Sequence, residues 1–110
     1  MPQGLGEFEQ MVLLAILHVG DGAYGVPIVE EIERRTGRSV SRAAVYVTLR
    51  RLEKRELVTS WMSEPTGERG GKARRCVRVE PDGLALLAES RRAMDSMWRD
   101  LDPGAAENAT

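Results

Sequence analysis

One cysteine and one histidine stand in 110 residues. Cys76 has no partner for an internal disulfide, so a reducing compartment is expected and the cytoplasm is the simplest location. His18 and a lone thiol do not make a metal-ligand set; no metal and no cofactor are expected. The residues pair no nucleophile with a base and set no glycine motif around a phosphate, so no enzyme is expected and no catalytic residue is assigned. No apolar run approaches the roughly 18 residues that span a bilayer, and no basic stretch precedes an apolar one at the N-terminus. Neither a membrane span nor a secretory signal is expected.

The most informative absence is local. Residues 1–33 contain six acids and no Lys or Arg. Residues 34–78 then carry thirteen bases against four acids, and residues 79–110 carry three bases against seven. The net charge of −1 hides this division. A basic middle between acidic ends is the footprint of a segment that binds a polyanion. The competing reading is that the segments neutralise one another in the fold. With 42% hydrophobic and 30% charged residues, the composition fits one small domain with a modest core.

Residues 41–58, SRAAVYVTLRRLEKRELV, organise the rest. On a helix, Val45, Leu49 and Leu52 share one side with Ser41 and Thr48. Ala43, Tyr46, Val47, Arg50, Arg51 and Lys54 fall roughly opposite. One face can bury; the other offers small apolar groups, a phenol and cations, as a helix in a DNA major groove requires. Ser41 is the candidate N-cap. An ordinary amphipathic helix with a solvated basic face is the alternative for this stretch alone.

Before it, residues 7–19 (EFEQMVLLAILHV) read as a helix that is apolar nearly all round and needs cover on more than one side. The GDGAYG turn follows, then a helix over 26–36 that starts with Pro27 in its first turn and stops at Gly37. Two helices joined by a short link, the second basic, make a helix-turn-helix. After it, 57–63 and 72–80 have strand composition. Val77 and Val79 fall on one face of the second strand and Arg74, Cys76 and Arg78 on the other. A basic, glycine-rich hairpin in this place is a wing. Its Arg69, Lys72 and Arg74 are candidates for phosphate or minor-groove contact. Pro81 opens a last helix over 82–101, where Leu84, Leu87, Arg91, Met94, Trp98 and Leu101 recur at spacings of three and four. That stripe suits helix-on-helix packing and marks a dimer element, with packing inside one chain as the alternative.

The fold expected is therefore mainly α with a small β-hairpin: three N-terminal helices, a two-stranded wing and a C-terminal dimerisation helix. The division expected is 1–80 as a winged helix-turn-helix DNA-binding domain, 81–101 as the dimerisation helix and 102–110 as a flexible tail. Candidate DNA-binding residues are Ser39, Ser41, Arg42, Ala43, Tyr46, Val47, Arg50, Arg51, Arg69, Lys72 and Arg74. Candidate dimer residues are Met11, Leu14, Leu87, Met94, Trp98 and Leu101. Trp98, Met94 and Met97 would line a gap for a small aromatic effector, unless Trp98 simply fills the interface.

With these elements placed, the chain resembles the PadR-type transcriptional regulators, a winged helix-turn-helix family. The resemblance rests on MVLLAIL, YGVPIVEEIERRTG, AAVYVTLRRLEKRELV and RRCVRVEPDGLALL, with Tyr46, Leu49, Arg51, Leu52, Glu53, Leu57 and Gly83 in the spacing of the family. It implies a homodimer, usually a repressor, that sets two recognition helices on a pseudo-palindromic operator in double-stranded DNA. Some members of the family bind small molecules at the dimer interface. This chain matches the shorter form of the family, with one C-terminal helix. Three positions depart from the pattern: Val47 where proline is frequent, Glu56 where glycine is usual, and Cys76 and Val77 where tyrosines often stand. A winged-helix module that binds protein and not specific DNA is the alternative function.

Overall fold

The computed structural model describes residues 4–65 and 71–101. Its elements, in order, are α1 (Glu7–Val19), α2 (Gly25–Thr36), α3 (Arg42–Lys54), β1 (Val58–Met62), β2 (Arg75–Val79) and α4 (Pro81–Trp98). The expected bounds of α1 hold, α2 starts one residue earlier than expected, and both strands and α4 are shorter than the composition implied. Arg69 and the tail after Leu101 lie outside the described residues.

Local chemistry accounts for the helix ends. Glu9 reaches back to accept from the Gly6 N–H at 2.8 Å, which satisfies a donor at the start of α1. Gly37 closes α2 in the left-handed region at φ 72° and donates to the Glu33 carbonyl. The Ser41 hydroxyl accepts from the Ala44 N–H at 3.0 Å and caps α3. Pro81 stands at the start of α4, where its missing N–H costs no helical hydrogen bond.

The core is one cluster. Val12, Leu13, Ala15 and Ile16 of α1 meet Ile28, Val29 and Ile32 of α2 and Val45, Leu49 and Leu52 of α3. Leu57, Val58, Val77 and Val79 close it from the hairpin. β1 and β2 pair antiparallel, with Ser60 opposite Val77 and Met62 opposite Arg75. The turn before α2 adds a third rung: the Val77 N–H donates to the Ala23 carbonyl at 2.8 Å. The wing is thereby bound to the turn on one edge and to α3 by its inner face.

Cys76 lies on the face of β2 opposite Val77 and Val79, and it is buried there beside the exposed Arg74 and Arg78. One expectation needs correction. Leu87, assigned to the dimer stripe, is buried in this chain's own core, because the first turns of α4 lie against α1 and the hairpin. The approach there is close: a Cβ on Gly83 would stand 2.5 Å from the Leu57 carbonyl oxygen. Beyond that contact α4 projects from the body, and every residue from 91 to 101 is exposed.

Candidate nucleic-acid interface

The helix α3 divides into three stripes. Val45, Thr48, Leu49 and Leu52 are buried, as the periodicity requires. Tyr46, Leu49, Arg50 and Glu53 face the wing and line the cleft between it and α3. Val47, Arg50, Arg51 and Lys54 line a separate shallow groove on the outer side. Arg42, Ala43, Val47, Arg50 and Arg51 are all exposed, so five of the expected contact residues share the open surface of one helix. Ser41 is exposed but already engaged as the cap. Ser39 is exposed in the link between α2 and α3.

Tyr46 is half-exposed; it lines the wing cleft and also leans on α2. Its ring lies so near α2 that a Cβ on Gly25 would stand 2.6 Å from the phenolic oxygen. Gly25 at the start of α2 is thus what lets the tyrosine lean across the helix pair. In the wing, Lys72 and Arg74 are exposed. Arg74 is not free-swinging: its guanidinium carbon lies 4.5 Å from the centre of the Tyr24 ring, a cation–π stack. Arg78, on the outer face, stands 5.7 Å over Trp61.

The electrostatic arrangement decides between the two readings of the basic segment. Its cations are not evenly neutralised. Arg34 and Arg35 both bind Glu31, Arg38 binds Glu7, Arg55 binds Glu9 and Arg75 binds Glu53. The Arg35 and Arg34 guanidiniums hold the Glu31 carboxyl far down, at about 2. Arg42, Arg50, Arg51 and Lys54 of α3, by contrast, form no ion pair among the described residues. Pairing within the fold thus takes up cations of α2, of the α2–α3 link, at the end of α3 and on β2, while Arg50, Arg51 and Lys54 line the outer groove of α3 without an ion pair among the described residues. Such a face attracts a polyanion through a field that salt screens.

Lys54 joins the expected residues in this group, since its position four after Arg50 puts it on the same stripe. Tyr24 joins it too, and no local pattern in the sequence signals it, because its partner Arg74 is fifty residues away.

A second surface is apolar. Leu14 and Leu17 on α1 are 46% exposed, and on α4 Leu84, Met94, Met97, Trp98 and Leu101 are exposed as well. Met11 is partly buried against the core. Met94, Met97 and Trp98 follow at spacings that put them on one side of the projecting helix. No group of three or more metal-ligating side chains occurs among the described residues, and no helix there is long and apolar enough to cross a membrane.

Comparison with known proteins agrees with this geometry. Residues 13–89 match the model of the transcriptional regulator PadR-like family. The chain is 35% identical over 106 residues to transcriptional regulator Rv3488 of Mycobacterium tuberculosis, covering 94% of each. Among solved structures it superposes on a transcriptional regulator from Clostridium thermocellum with a TM-score of 0.68 at 22% identity, over 83% of this chain and 85% of that one. A PadR-like transcriptional regulator from Bacillus cereus gives 0.66 at 20% identity, over 82% of each.

Proposed function

This chain belongs to the PadR-like family of transcriptional regulators, and from that premise we propose that it is a homodimeric repressor that binds a pseudo-palindromic operator through α3 and the wing. A family of regulators also removes the grounds for an enzymatic reading. The observation that carries the proposal is the set of exposed cations along α3, Arg42, Arg50, Arg51 and Lys54, which form no ion pair among the described residues. Arg50 and Arg51 carry planar guanidiniums suited to a guanine edge, and Val47 and Ala43 offer apolar contact to a thymine methyl. Ser39, Ser41, Arg42 and Tyr46 flank them; Lys72, Arg74 and the wing's Arg69 serve the phosphates.

The dimer is proposed from exposed apolar surface. Leu14 of α1 with Met94, Trp98 and Leu101 of α4 would be costly to leave in water, at about 25 cal/mol per Å² of apolar area. A two-fold axis along these helices would set two copies of α3 about one DNA turn apart, roughly 34 Å. A planar aromatic compound held by Trp98, Met94 and Met97 at that axis would act as effector only if it bound two dimer spacings unequally.

The test is fluorescence anisotropy with labelled duplex DNA across a salt series. Each neutralised phosphate should contribute about −0.9 to the log–log slope. Arg50→Ala should lose more affinity for the operator than for random DNA, and Lys72→Ala should lose both alike. Affinity that stays flat with salt would refute the DNA reading in favour of a protein-binding module. Sedimentation of the intact chain at micromolar concentration should give a dimer, and a monomer would refute the assembly.

A further inference from the structure

The cleft between α3 and the wing, about 310 Å³ in volume, holds one acid among cations. Glu53 lies on the wing-facing stripe of α3, one helical turn after Arg50. One of its carboxylate oxygens accepts from the Ser60 hydroxyl on β1. The other lies 3.5 Å from an Arg75 guanidinium nitrogen on β2. Ser60 pairs with Val77 and Met62 with Arg75, so Ser60 and Arg75 project from the same face of the hairpin and are diagonal neighbours. A single carboxylate thus grips both strands of the wing from the recognition helix. Among the described residues these are the polar side-chain contacts that α3 makes with the strands.

We propose that Glu53 is a positioning residue that sets the wing against α3 and so sets DNA affinity without touching DNA. The inference rests on the DNA-binding function proposed above. An acid is an odd choice for this surface. Beside Arg50 and Arg75, it adds negative charge where phosphates approach, and a simple charge argument says the protein would bind better without it. What it supplies instead is alignment. The wing's anchors on its other side, the Val77 to Ala23 hydrogen bond and the Arg74–Tyr24 stack, tie it to the turn before α2. Glu53 ties it to α3, so that the cations at the wing base and on the helix reach one DNA backbone together.

Charge and alignment predict opposite signs, and this makes the test decisive. Operator affinity is measured by anisotropy across salt for the wild type, Glu53→Ala and Glu53→Gln, with hydrogen exchange of the strand amides followed in the absence of DNA. Glu53→Ala should bind about five- to tenfold more weakly, with the salt slope flattened by about 0.9 as a wing phosphate contact is lost. Its amides at 60–62 and 75–77 should exchange faster while those of α4 do not change. Glu53→Gln keeps an acceptor for Ser60 and loses the attraction to Arg75; it should fall between, and it covers the case in which the alanine variant does not fold. Tighter or equal binding by Glu53→Gln, at an unchanged slope, would overturn the proposal. A wild type without salt-dependent DNA binding would overturn the DNA reading instead, whatever the exchange data gave.

Discussion

Replacing Glu56 with glycine should make this protein more stable, although it removes a side chain from the folded state. Glu56 follows the end of α3 with φ 60°, in the left-handed region. The position is required by how the helix terminates. The Glu56 N–H donates to the Glu53 carbonyl at 2.9 Å and the Leu57 N–H to the Leu52 carbonyl at 3.0 Å, the paired bonds of a Schellman cap. Leu52 and Leu57 are both buried, so the apolar contact that accompanies such a cap is present too. The backbone cannot leave this conformation without releasing Leu57 from the core. A side chain there costs roughly 1–2 kcal/mol in steric conflict. Glycine relieves that conflict but loses about 0.5–1 kcal/mol through the greater freedom of the unfolded chain. The net gain is on the order of 0.5–1 kcal/mol, a rise in Tm of a few degrees for a domain of this size. Thermal unfolding followed by circular dichroism at one fixed protein concentration measures it. Glu56→Gln separates backbone strain from charge and should leave Tm nearly unchanged. Asp100, the other described non-glycine residue with positive φ, at 67°, lies beyond the core, and Asp100→Gly should shift Tm little. An unchanged or lower Tm for Glu56→Gly would refute the strain argument.

Gly83→Ala should destabilise the protein by about 1–3 kcal/mol or more, since the new Cβ meets a backbone carbonyl at 2.5 Å that has no rotamer to escape into; chemical denaturation reads it, and a loss below about 0.5 kcal/mol would show that α4 shifts freely. Acid should act on α2 through Glu31: its carboxyl is lowered from 4.5 to about 2, so its contribution is complete above about pH 4.5 and is lost as pH falls toward 2. Glu31→Gln should therefore titrate with a shallower loss of helicity across that window, and identical acid profiles for the two proteins would contradict the pairing with Arg35 and Arg34.

Much of this architecture was legible in the order of the residues. Local rules act over one or two helical turns, and here they agree with one another. Ser41 caps because its hydroxyl meets an N–H three residues on, Gly37 stops α2 because it tolerates positive φ, and Val45, Leu49 and Leu52 bury because 100° per residue aligns them. The stripe of α3 that carries Val47, Arg50, Arg51 and Lys54 follows from that same period, so the cationic face was readable before any coordinate. What periodicity could not decide is which charges stay unpaired. Arg38 finds Glu7 across 31 residues and Arg55 finds Glu9 across 46, distances in sequence over which only the packing of helices sets who meets whom. Leu87 shows the same limit. Of the stripe Leu84, Leu87, Arg91, Met94, Trp98 and Leu101, Leu87 alone is buried, because only the first turns of α4 lie against the body and only part of their surface is covered. Cys76 shares a face of β2 with exposed Arg74 and Arg78 and is nonetheless buried, and Glu53, one more charged residue in a run of them, became the tie between helix and wing because the hairpin folds back over it. Sequence determined the elements and the faces they present, since those are set by neighbours along the chain. Tertiary structure decided which faces remain for a partner, since that depends on what has already been covered.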